Sequence, residues 1–382
     1  MKQGWEIKRL DDACEVEYGT RVVQKRDGGT VYPVYGGGGA TFFIDTFNRK
    51  DSLVVARFAM SAQCTRFVEG KFYLNDSGLT VRPKNYKELL PDFLNFQMLY
   101  LNDYIYSLSR GTAQRNLDVP AFRNIQISYP KSIQEQQCII SFIREAFASI
   151  AKAKAIAEQN LKNAKELFES YLQGVFDKKG DGWDEKTLQE LADEKCTLSY
   201  GIVQPGDEFE NGLPVIRPTD LTSRYIEVNG LKRIDPKLAD SYKRTRLIGD
   251  ELLLCVRGTT GVVSIVTPVL KDANVTRGIV PIRFNSKFID QEFGYYLLIS
   301  NYIQKQIRTK TYGTALMQIN IGDLRKVLTP YPSIKEQQAI VRKLDAIRAE
   351  TKRLEAIYQQ KLLNLDELKK SVLQKAFNGE LN

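Results

Sequence analysis

The side chains of this sequence best equipped for chemistry are hydrogen-bond donors and acceptors set beside glycine, on stretches that read as loops. Tyr18, Arg21, Lys25 and Arg26 follow or flank Gly19, and Tyr35, Arg57, Gln63 and Arg66 come next. Arg110, Thr112, Gln114 and Asn116 complete this first set. A second set comprises Gln204, Arg217, Thr219, Arg257, Thr259, Thr260 and Arg277, then Lys310, Tyr312, Thr314 and Gln318. A guanidinium can donate two parallel hydrogen bonds to guanine, and a carboxamide can both donate and accept at adenine. Each good pair discriminates by about 1–3 kcal/mol. For any single residue, a solvated loop, an ion pair or a turn competes with that use. Asn75-Asp76 and Asn274 read as turn formers.

Catalysis has less to work with. The sequence has no histidine, which removes the commonest general base and the commonest metal ligand. Asp51 with Glu69 and Lys71 imitates the acid-x-Lys arrangement of metal-dependent nucleases, a reading in which the chain cuts nucleic acid by itself. Such triplets are common by chance, and no equivalent recurs later. The run Gly36–Gly39 is not followed by the Gly-Lys-Ser/Thr of a phosphate loop. No catalytic residue and no metal site is therefore expected. A net charge of +9 points instead to a polyanionic partner. The five cysteines (Cys14, Cys64, Cys138, Cys196, Cys255) form no CxxC pair and read as free thiols of a reducing cytoplasm. No apolar run approaches the ~20 residues that cross a bilayer, and the first residues do not start a signal peptide.

The elements that must position these residues come in two copies. Ile133–Phe176 aligns without a gap on Ile334–Phe377, with 17 identities over 44 residues. Apolar or small residues recur at steps of four and three: Ile139, Ile143, Ala146, Ile150, Ala153, Ala157, then Ala164, Leu167 and Tyr171. The second copy repeats the register through Ile340, Leu344, Ile347, Leu354, Tyr358, Leu365, Leu368 and Val372. That period predicts a coiled-coil seam on two helices, each roughly 66 Å long. The preceding stretches also match, Gly4-Trp5 with Gly182-Trp183 and Tyr18-Gly19 with Tyr200-Gly201. Both close on Tyr-Pro just before the helix. Between these landmarks the halves diverge, Tyr35-Gly36-Gly37-Gly38-Gly39 standing opposite Ile216-Arg217-Pro218-Thr219-Asp220.

The order is thus a domain over 1–132, a helix over 133–177, a second domain over 178–332 and a second helix over 333–382. Runs such as 52–56, 252–256, 262–266 and 279–284 predict strands, while 93–108 and 291–307 carry helical spacing, so each domain is mixed α+β. The short link 177–182 spans at most about 20 Å, which places the second domain near the far end of the first helix and predicts antiparallel pairing with pseudo-twofold symmetry.

The doubled Tyr-Pro…Glu-Gln-Gln element and the Gly-Thr…Gln…Asn phrases at Arg110–Asn116 and Tyr312–Asn320 resemble the specificity subunit of Type I restriction-modification enzymes over essentially the whole chain. The resemblance implies two target-recognition domains, each reading one half of a bipartite site in double-stranded DNA, held apart by the helices. It implies two docked methyltransferase subunits, which would hold S-adenosylmethionine, and motor/nuclease restriction subunits besides. The chain itself would need no cofactor. Half-sites about one helical turn apart, ~34 Å or a multiple, suit a rigid spacer. The sequence lacks the Asn/Asp-Pro-Pro-aromatic element of an adenine methyltransferase. A stripe one residue behind the seam is identical in both copies: Ile156, Gln159, Asn163, Glu166, Ser170 and Gln173, then Ile357, Gln360, Asn364, Glu367, Ser371 and Gln374. It is the expected dock for two identical partners. A tandem coiled-coil adaptor that binds proteins rather than DNA is the competing reading.

Overall fold

Ile133–Asp177 and Ile334–Asn378 each form one uninterrupted helix of 45 residues, as the proline-free heptad pattern requires. The computed structural model describes residues 4–180, 182–313 and 317–380. Two compact units emerge, Met1–Gln159 with Tyr358–Asn382, and Asn160–Ile357, so each unit owns the start of one long helix and the end of the other.

In the first unit the strand order is Cys14–Tyr18, Gly78–Pro83, Arg49–Ala56, Thr65–Leu74, Tyr32–Tyr35, Ala40–Ile44. Helices Pro91–Tyr100 and Asn102–Ser107 pack beneath it around Phe93, Leu94, Met98 and Ile105, all fully buried. The second unit builds two three-stranded sheets. Leu213–Ile216 lies between Lys232–Ile234 and Asn274–Val275, and Leu252–Cys255 lies between Val263–Ile265 and Ile279–Ile282. Helices Gln291–Ile299 and Asn301–Lys310 complete it. The helical spacing over 291–307 thus resolves into two helices, because the Ser300 hydroxyl accepts from Ile303 N and caps a new start. Asn274 forms no turn. It lies fully buried in a strand, accepting from the Thr245 hydroxyl at 2.7 Å and donating to Tyr242 O at 3.1 Å.

The recurring phrases are joints between domain and helix. In the first unit Trp5–Arg9 pairs antiparallel with Gln126–Pro130, and Trp5 Nε1 donates to Glu135 Oε1 at 3.0 Å. In the second, Asp184–Thr187 pairs with Leu328–Tyr331, and Trp183 Nε1 donates to Glu336 Oε1 at 3.0 Å. The next glutamine is fully buried in both. Gln136 accepts from Leu90 N and donates to the carbonyls of Glu88 and Pro130. Gln337 does the same with Asp290 N, Phe288 O and Pro332 O. A carboxamide of this reach both accepts the N–H and donates to two carbonyls, which explains the glutamate and first glutamine of Glu-Gln-Gln at each helix start.

Each helix end closes a core. Phe377 packs against Phe93 and stacks on Tyr100 in the first unit, with ring centroids 5.2 and 5.3 Å away. Phe176 meets Phe293 and Trp183 in the second, at 5.6 and 6.0 Å. Within the first unit the helices run antiparallel, since Phe147 lies under Lys369 while the later Lys154 pairs with the earlier Asp366. Small residues hold the seam, Ala157 being fully buried and Ala164 nearly so. Leu167 and Leu368 correct the expected seam. They occupy the same position in the two copies and are 49% and 48% exposed. The reason is helical drift, for a helix of 3.6 residues per turn leaves a strict 3.5 repeat by about 20° per heptad unless it supercoils.

Candidate nucleic-acid interface

In the first unit the turn at Asn75–Gly78 gathers four loops. Gly19 packs so closely on this turn that a Cβ would sit 2.0 Å from Asn75 O, and Gly19 N donates to Gly78 O. Asn75 N donates to Tyr35 O, and Gly37 N to the Ser77 hydroxyl at 3.4 Å. Arg57 N donates to Ser77 O while its guanidinium donates to Asp76 O and lies over the Tyr18 ring at 4.9 Å. Arg66 reaches Gly37 O at 2.8 Å, with Gln63 exposed beside it. The 110–116 phrase joins through Met60 N to Arg115 O and Ala59 N to the Asn116 side chain. Tyr18, Tyr35, Arg57, Gln63, Arg66, Arg110, Thr112, Gln114 and Asn116 are therefore brought together.

Several are partly committed to the fold. Arg110 is ion-paired with Asp118, and Tyr35 packs edge-on to Phe72. Lys25 and Arg26 lie instead on the short helix Gln24–Asp27, where Arg26 pairs with Asp27 at 2.9 Å. Arg21 is exposed just before that helix.

The second unit repeats the device with other side chains. A Cβ on Gly201 would lie 2.0 Å from Val275 O, the same close approach as Gly19. Ile202 N donates to Val275 O, and Arg277 N to Ile202 O. Gly278 packs on Pro218, between Arg217 and Thr219. Arg257 bridges to Gln318, Gly258 N and the Thr260 hydroxyl donate to Met317 O, and the Tyr200 hydroxyl donates to Ile319 O. Tyr312 donates to Asn320 at 2.6 Å and accepts from Gln318. Arg217, Thr219, Arg257, Thr259, Thr260, Arg277, Tyr312 and Gln318 share this end. Lys310 closes the preceding helix, and Gln204 is exposed just beyond Ile202. Thr314 lies outside the described residues.

Arg217 is gripped by Asp220 through two side-chain bonds, which raises its pKa. Tyr200 belongs to this surface although sequence reasoning used it only as a landmark. Its repeated Tyr-Gly phrase was the available signal.

The acid-x-Lys triplet is brought together across the strand pair Arg49–Ala56 and Thr65–Leu74, but Asp51 and Lys71 are engaged in the turn and on a ring. Asp51 accepts from Gly70 N at 2.7 Å, and Lys71 lies over the Phe47 ring. Among the described residues, no group of three or more Cys, Asp or Glu is placed to hold a metal ion, and no helix is long and apolar enough to cross a membrane. The stripe residues are exposed in both copies, except that Ser371 is half-buried.

Two similar α/β domains, each locked to a long helix and each gathering polar side chains on one loop cluster, define a tandem recognition protein. The chain belongs to the family of the Type I restriction modification DNA specificity domain, whose model matches residues 2–159 and 180–364. The Type I restriction enzyme EcoBI specificity subunit of Escherichia coli is 30% identical over 201 residues, covering 53% of this chain and 42% of that protein. That match spans less than half of the relative's length. The MjaVIII specificity subunit of Methanocaldococcus jannaschii is 23% identical over 335 residues, covering 82% of this chain and 76% of that one. The fold is shared with a chain solved in work on the assembly and conformational transition of the type I R-M system (TM-score 0.74, 19% identity, 100% of this chain and 99% of that one). It is shared too with the HsdS subunit of Thermoanaerobacter tengcongensis (TM-score 0.60, 19% identity, 100% and 98%).

Proposed function

We propose that this chain is the DNA sequence-specificity subunit of a Type I restriction-modification complex. Each domain reads one half of a bipartite target, and the long helices set the gap between the halves. The observation that carries this reading is one backbone device used twice with different side chains. A glycine-pinned loop cluster offers Tyr18, Arg57, Gln114 and Asn116 in one unit and Arg257, Arg277, Tyr312 and Gln318 in the other. Phosphate contacts by a chain of net charge +9 supply affinity, and the loop side chains supply discrimination.

Two methyltransferase subunits dock on the duplicated helical stripe and bring S-adenosylmethionine with them, and restriction subunits join that assembly. The chain itself acts as a non-catalytic reader. Exposure of Ile156, Ile357, Leu167 and Leu368 supports the dock, because it sets apolar contact area beside Glu166 and Glu367 in each copy. The test is selection by the full chain from a pool of randomised DNA duplexes. Two short motifs separated by a fixed gap, with affinity falling linearly in log–log salt plots, are expected. Recovery of no common sequence would leave the protein-binding adaptor.

A further inference from the structure

The two halves join domain to long helix with different charges. In the first unit Asp92, on the domain helix Pro91–Tyr100, meets Arg144 of the first long helix directly at 2.7 Å. Position 345 lies as far into the second long helix as 144 lies into the first, and Glu292 precedes Phe293 as Asp92 precedes Phe93. Residue 345, however, is aspartate, so the second joint presents two carboxylates, while Arg348 one turn on donates to the Tyr295 hydroxyl at 3.2 Å and leaves them without a directly paired cation from the helix. Arg224 supplies one from another part of the domain. It donates through Nη1 to Asp345 Oδ1 at 2.6 Å and to the Tyr296 hydroxyl at 3.1 Å, and through Nη2 to Glu292. Its guanidinium lies 5.1 and 4.9 Å from the Tyr295 and Tyr296 ring centroids. Burial alone would lower its pKa. Asp345 and Glu292 outweigh that and hold it raised, so the charge persists.

Arg224 sits on the stretch that leads out of the loop cluster. Four residues upstream is Asp220, which grips Arg217 beside Thr219. Its own carbonyl accepts from Ile265 N at 2.6 Å, and Ser223 O accepts from the Ser264 hydroxyl. The stretch is thus fastened to the sheet by its backbone and to the long helix by one side chain.

We infer that Arg224 is a positioning residue for the second domain: by neutralising Glu292 and Asp345 it registers the segment 217–226, with Arg217 and Thr219, against the second long helix. The inference rests on the DNA-reading role above. The first half needs no third residue, because Arg144 already supplies the cation. The two joints are therefore independent, and loss of Arg224 disturbs one half-site only.

The test uses the full chain as R224Q, D345R and the double variant. Two readouts are hydrogen exchange in 217–226 and the sequences recovered from the randomised duplex pool. R224Q leaves two carboxylates facing each other and should speed exchange in that segment about tenfold, while flattening enrichment at one half-site and sparing the other. D345R alone sets a second guanidinium beside Arg224 and should do likewise. The double variant recreates the direct pair of the first unit and should restore both readouts. Native behaviour of R224Q, or a double variant no better than R224Q, would overturn the inference. A variant whose second domain has unfolded is recognised by fast exchange in the strand pair Asp184–Thr187 and Leu328–Tyr331, and the double variant then decides. If the native chain enriches no sequence, the DNA reading fails and the positioning role fails with it, whereas exchange still reports the ion network separately.

Discussion

In both units the joint between domain and long helix is the same where the helix begins and different further along. Trp5 to Glu135 and Trp183 to Glu336 are the same bond at the same 3.0 Å, and Gln136 and Gln337 bury the same amide against the same kind of backbone. About two to three turns further along the helices the likeness ends. Phe147 meets Phe96 edge-on in the first unit, whereas Arg348 lies over Tyr295 in the second. Arg144 and Asp345 carry opposite charges at one helical position. A buried amide holding three backbone groups tolerates no substitute, while a charged seam can be neutralised in more than one way. Duplication preserved the first kind of contact and let the second drift.

That contrast can be broken by mutation, and the largest effects belong to the shared parts. Phe377→Ala should destabilise the first unit by about 3–5 kcal/mol and Phe176→Ala the second by a similar amount, each through loss of a buried ring. Denaturant unfolding with exchange mapped onto each unit checks which one loosens. Gln136→Leu or Gln337→Leu should cost about 3 kcal/mol, because it strands two carbonyls and one N–H away from water. The same unfolding curves measure it, and equal losses at the two sites would confirm that the joints are equivalent.

Charge reversal at Glu166 with Glu367 should weaken methyltransferase assembly about tenfold and leave the unfolding curve of the chain unchanged, since both side chains are exposed. Co-purification and a melting curve read the two outcomes together, and unaltered assembly removes the stripe as a dock. Thiol labelling should be confined largely to Cys138. Burial pushes Cys14 up to about 12 and Cys64 to about 11, and it raises Cys196 as well, so their thiolates are scarce at neutral pH. Mass spectrometry after brief alkylation tests this.

The smallest effect is that of pH. Tyr302 and Lys179 lower the pKa of Glu185, so its contribution is present above the usual carboxylate range and is lost only as pH falls through the depressed value. With no histidine in the chain, stability should be nearly flat between about pH 6 and 8. A melting series over that window would show it.

Much of this molecule is legible in its sequence. Periodicity and ungapped identity marked both long helices, because a helix repeats its environment every few residues and the pattern is local. The duplicated Glu-Gln-Gln and Tyr-Gly phrases marked the joints and the loop clusters, since each serves a backbone geometry that tolerates few residue types. Composition removed histidine chemistry outright. Other features depended on residues far apart in the chain, which no local pattern contains. The exposure of Leu167 and Leu368 follows from how the helices turn against their partners. Asn274 became a strand residue because Thr245 and Tyr242 wait to bond it. Arg217 pairs with Asp220 and Arg110 with Asp118, neighbours that the sequence already displayed, so part of the apparent reading surface is engaged locally. Arg224 is the clearest case of dependence on distant residues. Nothing near it in sequence announces two carboxylates, which lie 68 and 121 residues away, and only folding brings the three charges together.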